Sequence, residues 1–112
     1  MEEKLKAALN QAITDFNNSR SKILKLAFNE GGQEAVTNLE NQYDALRNAY
    51  FDLLKKQLDK NNDQYEKLVV STREEAEKLT VSIQKLNQIN DIIQLVTSVF
   101  DLAETILKVL AK

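Results

Sequence analysis

Histidine and cysteine, two of the residue types that most often carry enzyme chemistry, do not occur in this chain. Their absence removes the commonest general base, the thiolate nucleophile and most ligands for transition metals. Carboxylates remain, but acid–base work by carboxylates needs a pair held in unlike environments. The densest acidic group is Glu74, Glu75 and Glu77, and Arg73 and Lys78 flank it in a pattern typical of a solvated helix face. We therefore predict no enzyme activity, no catalytic residues, no cofactor and no metal site.

One stretch begins like a calcium-binding loop. Asp59, Asn61 and Asp63 alternate with other residues, as the first three ligands of an EF-hand loop do. That loop also needs glycine at its sixth position and glutamate at its twelfth, where this chain has Gln64 and Val70. The stretch is more typical of an Asn/Asp-rich turn between two helices.

Two tyrosines, Tyr43 and Tyr50, lie one heptad apart and could line a ligand pocket. Aromatic residues at helical spacing are more often part of a core, with the hydroxyl reaching its rim. We therefore predict that both are core residues. The neighbouring Phe51 falls beside this row and marks a second contact surface in this interpretation.

Composition predicts an all-α fold in a single domain, residues 1–112. The chain has no proline and two glycines, whereas turn-rich β folds need many such residues at regular spacing. Its 15 basic and 17 acidic residues give a net charge of −2 without a basic patch, so we expect no nucleic-acid binding. The N-terminus lacks the basic start and apolar run of a cleaved signal peptide, and charges interrupt the longest apolar stretch. We expect a soluble, cytoplasmic protein, with secretion that uses no cleaved signal as the alternative.

Heptad spacing of apolar residues predicts the helices that would position these side chains. The first runs from about Glu2 to Asn29, and Gly31 or Gly32 then takes the left-handed conformation that closes a helix. Because this link is short, we expect the next helix, which starts near Gln33, to fold back antiparallel.

The end of the second helix has three interpretations. The Asn/Asp-rich window 59–63 is the poorest helix-forming stretch after the glycines, and we favour a break there. A rival break lies at residues 70–75, where Ser71 and Thr72 each precede a glutamate at capping-box spacing. The third interpretation is a helix without a break.

A one-residue slip interrupts the apolar repeat at residues 87–90. The row that reaches Leu86 would continue at Asn90, but it resumes at Ile89. Either one long last helix absorbs the slip, or Asn90 caps a fourth helix with Asp91 favourably placed behind it. We slightly favour three main helices with a long last one, because the stretch contains neither glycine nor proline. The fold class is thus an antiparallel helical bundle of three to four long helices with coiled-coil-like heptad packing, in which the C-terminal helix is the most buried.

The last stretch, residues 91–112, has the widest apolar face. Its apolar residues cover more than half of the helix circumference, whereas a surface helix needs a stripe of about 100°. Neighbouring helices, a second chain or another apolar partner must therefore cover it from two sides. The predicted interaction residues are Ile92, Ile93, Val96, Val99, Phe100, Ala103, Ile106, Leu107 and Leu110.

These features predict a non-enzymatic helical interaction or assembly module. Through this face the chain would form a homo-oligomer, most simply a dimer, or bind a helix of a partner protein. One alternative is a lipid-surface or membrane-active protein that exposes its C-terminal amphipathic helix. It is less favoured, because Asp101 and Glu104 lie where interfacial helices are typically basic. A second alternative is a small regulator or inhibitor that masks a partner protein.

Overall fold

Four α-helices make up the described part of the chain. The structure is a computed structural model that describes residues 3–56, 63–86 and 88–110. The helices are α1 (Glu3–Asn18), α2 (Arg20–Leu54), α3 (Asp63–Lys85) and α4 (Ile89–Leu110). They pack against one another, and no strand occurs among the described residues. The prediction of an all-α helical bundle is confirmed.

A kink at Ser19 separates α1 from α2. The backbone angles of Ser19, φ −104° and ψ 10°, depart from helical values. Helical hydrogen bonds nevertheless pass through it, since its N–H donates to the Asp15 carbonyl and its own carbonyl accepts from the N–H of Ile23. The stretch Asn17-Asn18-Ser19 has weak helix propensity, which explains why the bend lies here. α1 and the start of α2 therefore form one bent helical segment, the first helix of the prediction.

A turn at Gly32 divides α2 into a first arm, residues 20–31, and a second arm, residues 33–54. Gly32 has φ 72° and ψ −161°, a region that is open almost only to glycine. Its φ is positive, as a helix-closing glycine requires, but its ψ is extended rather than left-handed helical. The helix also continues through Gly31, past the predicted end at Asn29.

Contacts across this turn show that the chain folds back on itself. Phe16 stacks on Tyr43, with ring centroids 4.2 Å apart, and Arg20 forms an ion pair with Glu40. The residue that lies farther before the turn therefore contacts the residue that lies farther after it, as in two antiparallel helices. The predicted antiparallel link at the glycines is confirmed.

The break between α2 and α3 lies where the Asn/Asp-rich window predicts it. α2 ends at Leu54 and α3 begins at Asp63. Residues 59–62 lie outside the described residues, and they include Asp59 and Asn61, the first two ligand residues of the calcium-like stretch. The rival break at residues 70–75 is wrong, because this stretch lies inside α3, and the interpretation without a break is wrong as well.

The break between α3 and α4 overturns the favoured long last helix. Leu86 has φ 49°, and the carbonyl of Gln88 accepts hydrogen bonds from the N–H groups of Asp91 and Ile92. Gln88 therefore opens α4, and the predicted cap, Asn90, lies within the helix. Asn87 lies outside the described residues. The slip in the apolar repeat is thus a reversal of the chain, and the four-helix alternative holds.

Side-chain contacts define the directions of the helices. Asp15 of α1 accepts a hydrogen bond from Gln84 near the end of α3, and Lys4 shares a small cleft with Arg73 earlier in α3. These two helices therefore run parallel. Ser98 of α4 donates to Glu75 of α3, and each lies about the same distance from the short link at residues 86–88 that joins the two helices, so α4 runs antiparallel to α3. Direction therefore alternates between the bent segment of residues 3–31, the second arm of α2, α3 and α4. α1 packs on α3, α3 on α4 and α2 on α4.

The helices share one contiguous hydrophobic core. Its largest fully buried side chains come from α1, both arms of α2, α3 and α4. α4 is the most buried helix, as predicted, since its exposed residues are restricted to Asn90, Asp91, Gln94, Asp101, Thr105 and Lys108. The wide apolar face of the last helix is thus covered largely by the chain itself.

Candidate interaction surface

The nine predicted interaction residues divide into two groups. Five are completely buried in the core: Ile92, Val96, Val99, Ala103 and Ile106. The other four, Ile93, Phe100, Leu107 and Leu110, are half-buried and pack against the edge of the core. Only this second group has side-chain surface left for another molecule.

Three of the half-buried residues form a continuous row. Ile93, Phe100 and Leu107 are spaced by seven residues, so they lie above one another on one side of α4. We call this row the α4 edge. Asp101 and Lys108 are exposed and lie beside it toward the solvent. The edge is therefore an apolar strip bordered by one negative and one positive charge.

An open groove of about 830 Å³ lies on the other side of α4, between α3 and α4. We call it the α3–α4 groove. Its lining residues are Glu74, Glu75, Glu77, Lys78, Val81, Ser82, Asp91, Gln94, Leu95 and Ser98. The sequence shows the acidic group on α3, and the slip in the apolar repeat at residues 87–90 is the signal for the hairpin that brings α4 against it.

Part of the charge in the α3–α4 groove is neutralised within the chain. The Glu75 carboxylate accepts a hydrogen bond of 3.0 Å from Ser98 and lies 3.1 Å from the Lys78 ammonium group. Glu77 lies 3.7 Å from Arg73. Glu74 and Asp91 make no ion pair or side-chain hydrogen bond with other described residues. Two of the acidic groups in the groove are thus left to the solvent.

The tyrosines lie where the core interpretation predicts them. Tyr43 and Tyr50 are buried, whereas Phe51 is 48% exposed. The guanidinium groups of Arg20 and Arg47 lie 5.8 and 6.0 Å from the centre of the Tyr43 ring, within the range of cation–π contacts. The contact with Arg47 can be predicted from the sequence, because residues four apart on a helix are neighbours. The contact with Arg20 cannot, because it forms only when the glycine turn brings the two arms of α2 together.

Arg20 and Tyr50, among the described residues, have shifted pKa values. The pKa of Arg20 is raised by its hydrogen bond to Glu40, although partial burial opposes the shift. Burial raises the pKa of Tyr50 above its ordinary value, because the phenolate would lose solvation. Neither group lies in the α3–α4 groove or on the α4 edge.

Across residues 3–56, 63–86 and 88–110, no group of three or more His, Cys, Asp or Glu side chains is arranged to hold a metal ion. Within the same ranges, no helix has the length and apolar character needed to cross a membrane.

No protein-family model, no curated protein and no solved structure matches this chain.

Proposed function

We propose that this protein is a non-enzymatic helical interaction module that self-associates through the α4 edge. The observation that carries the proposal is the row Ile93, Phe100 and Leu107, which keeps its heptad spacing and stays partly exposed although five of the nine predicted interaction residues are buried. Half-buried apolar residues at this spacing match the seam along which two helices pack. A second helix laid on the row would complete their burial.

Charge complementarity favours a second copy of this chain as that helix, in antiparallel orientation. If a two-fold axis passes near Glu104, Phe100 of one copy packs on Leu107 of the other, and Asp101 lies beside Lys108. A parallel pair would instead place the two copies of Asp101 on opposite flanks of the seam, where neither meets Lys108. The antiparallel pair therefore covers Phe100 and Leu107 and pairs both bordering charges.

The same geometry places Glu104 against its own copy at the axis. Like charges in close contact weaken an interface. Replacing Glu104 by glutamine should therefore strengthen the dimer. A dimer in which Glu104 lies away from the axis would not respond to this change.

The test is a charge exchange read out by absolute mass. Asp101 and Lys108 are both exposed, so their substitution should leave the fold intact. Light scattering on a sizing column, over a range of concentrations, should show wild-type mass rising from 12.8 kDa toward twice that value. Asp101→Lys should weaken the dimer, because it sets two positive charges against each other. The double variant Asp101→Lys/Lys108→Asp should restore it.

A matched control is Asp52→Lys, the same charge reversal at an exposed position on α2. It should dimerise like the wild type. A monomeric mass for the wild type up to millimolar concentration, or a double variant as weak as Asp101→Lys alone, would refute self-association through this edge. Circular dichroism of each variant checks that the helical fold is retained.

A further inference from the structure

We propose that pH regulates self-association through the α4 edge, because the two copies of Glu104 share one proton when the edges pack. This inference rests on the proposed function, since it concerns the same surface. It adds a form of control that the apolar row alone does not provide. Acidification from neutral pH strengthens the dimer, and a return to neutral pH weakens it.

The spacing of α4 places Glu104 inside the seam of the dimer. Glu104 follows Phe100 by four residues and precedes Leu107 by three, which is the alternation of positions that face a packed helix. Glu104 is also half-buried, whereas Asp101 and Lys108 on either side of it are exposed. A carboxylate therefore lies between the two apolar residues that the dimer covers.

The charge of Glu104 is not compensated in the free chain. Lys108 lies one turn further along α4, but no ion pair joins the two, and Glu104 makes no side-chain hydrogen bond with another described residue. Because α3 runs antiparallel to α4 and the second arm of α2 runs parallel to it, the end of α2 and the start of α3 lie beside the C-terminal half of α4. The charged residues there are exposed, and none forms an ion pair with Glu104: Asp52, Lys55, Lys56, Asp63, Glu66 and Lys67.

In the antiparallel pair, each Glu104 meets its own copy at the two-fold axis. The ammonium group of Lys108 lies beside Asp101 of the other copy, so it does not neutralise the carboxylates at the axis. Two carboxylates in contact are unfavourable when both are ionised, and such a pair takes up one proton that the two groups share. Formation of the dimer is therefore coupled to uptake of a proton from the solvent.

This coupling determines the direction of the pH dependence. An equilibrium that takes up protons is favoured as the pH falls. Glutamate side chains in water titrate near about pH 4.3, and contact between two carboxylates displaces the first protonation of the pair upward by about one unit. The gain is thus present at about pH 5 and is lost toward neutral pH, where both copies are ionised and repel. The pairs between Asp101 and Lys108 set the acid limit, because aspartate side chains take up protons near about pH 3.9.

Sedimentation equilibrium of the full-length protein at pH 7.5 and pH 5.0 tests the proposal. The Kd of the wild-type dimer should fall about fourfold at the lower pH, as a displacement of one unit implies. Glu104→Gln should have the same Kd at both pH values and should dimerise more tightly than the wild type at pH 7.5. A general loss of repulsion between chains is small at a net charge of −2, and it would act on both proteins alike. Equal responses of the wild type and Glu104→Gln would therefore overturn the proposal.

The matched control is Glu34→Gln, which removes the same charge from an exposed position on α2. It should keep the fourfold response of the wild type. Calorimetric dilution of the wild-type dimer in two buffers of different ionisation enthalpy should show a net uptake of roughly half a proton per dimer on association at pH 5.0. The absence of proton uptake would contradict the shared proton.

The same measurements separate failure of this inference from failure of the proposed function. If the wild type and Glu104→Gln are monomeric at both pH values up to millimolar concentration, self-association through the α4 edge is refuted and the pH dependence with it. If the wild type forms the dimer that Asp101→Lys weakens, but with one Kd at both pH values, only the pH dependence is refuted. Circular dichroism at both pH values checks that the helical fold is retained.

Discussion

Tyr43 is contacted on several sides at once. Phe16 stacks on its ring with an interplanar angle of 10°, and its hydroxyl donates to the carbonyl of Ile13 at 3.4 Å. Arg20 and Arg47 bring their guanidinium groups near the ring. These contacts join α1 to both arms of α2. The cluster is therefore the local interaction that holds the glycine hairpin closed.

Replacement of Phe16 tests this cluster. Phe16 is 1% exposed, so Phe16→Ala should lower the free energy of unfolding by about 3–5 kcal/mol through lost burial and the cavity left behind. Urea unfolding followed by circular dichroism gives this value. Phe28→Ala is the matched control, since Phe28 is 54% exposed and should change stability by no more than about 0.5 kcal/mol. Equal effects of the two variants would contradict the burial assigned to Phe16.

The raised pKa of Tyr50 predicts a loss of stability in alkali. Burial raises the pKa in the folded state only, so the unfolded chain releases this proton first, near the ordinary value of about 10. The stabilising contribution is complete below that pH and is lost as pH rises through the folded-state pKa. Urea unfolding at pH 8 and pH 11 should show a smaller decrease for Tyr50→Phe than for the wild type. Identical decreases would mean that Tyr50 titrates alike in both states.

Among the elements, the turn between α3 and α4 depends on a residue poorly suited to it. Leu86 has a positive φ, a conformation that costs about 1–2 kcal/mol for residues with a Cβ atom. Its side chain is 37% exposed, so truncation removes burial as well as strain. Leu86→Ala loses the burial and keeps the strain, so Leu86→Gly should be more stable than Leu86→Ala by about 1 kcal/mol in urea unfolding. The opposite order is expected at Val81, inside α3, where Val81→Gly should be less stable than Val81→Ala by about 1 kcal/mol.

The turn inside α2, in contrast, has a glycine at its positive-φ position. A Cβ atom at Gly32 would meet nothing within 4 Å, so any penalty comes from the backbone alone. Gly32→Ala should cost about 1–3 kcal/mol in thermal or urea unfolding. Gly32→Asn should cost as much, because ψ −161° lies outside the left-handed helical region that asparagine tolerates. Rescue by asparagine would show that the turn can adopt that region.

At the scale of the whole molecule, the two hairpins stabilise each other. α1 packs on α3 and α2 on α4, so the buried surface of each hairpin is covered by the other. We therefore expect one cooperative unfolding transition, in which far-ultraviolet circular dichroism and tyrosine fluorescence change together. Leu79→Ala, in the shared core, should shift both probes equally. Two separated transitions would show that the hairpins fold independently.

Helical periodicity and helix-breaking residues in the sequence determined the fold class, the glycine turn and the break after α2. These features are local, because they depend on backbone preferences and on which face of each helix is apolar. The core rows of α1 and α3 follow for the same reason, since each has one narrow apolar stripe and therefore one way to pack. Tyr65, Val69, Ala76 and Ile83, for example, are buried where the heptad spacing of α3 predicts.

Tertiary structure decided which part of the wide face of α4 is core. The apolar repeat that resumes at Ile89 continues in the sequence through Ile93, Phe100 and Leu107, but the buried row includes Ile92, Val99 and Ile106 instead. Both rows have heptad spacing, and a face this wide contains both. The positions of α2 and α3 select between them and leave the other row as the α4 edge. The reversal at Leu86 has the same origin, because long-range packing of α4 on α2 and α3 outweighs the local strain of a turn without glycine.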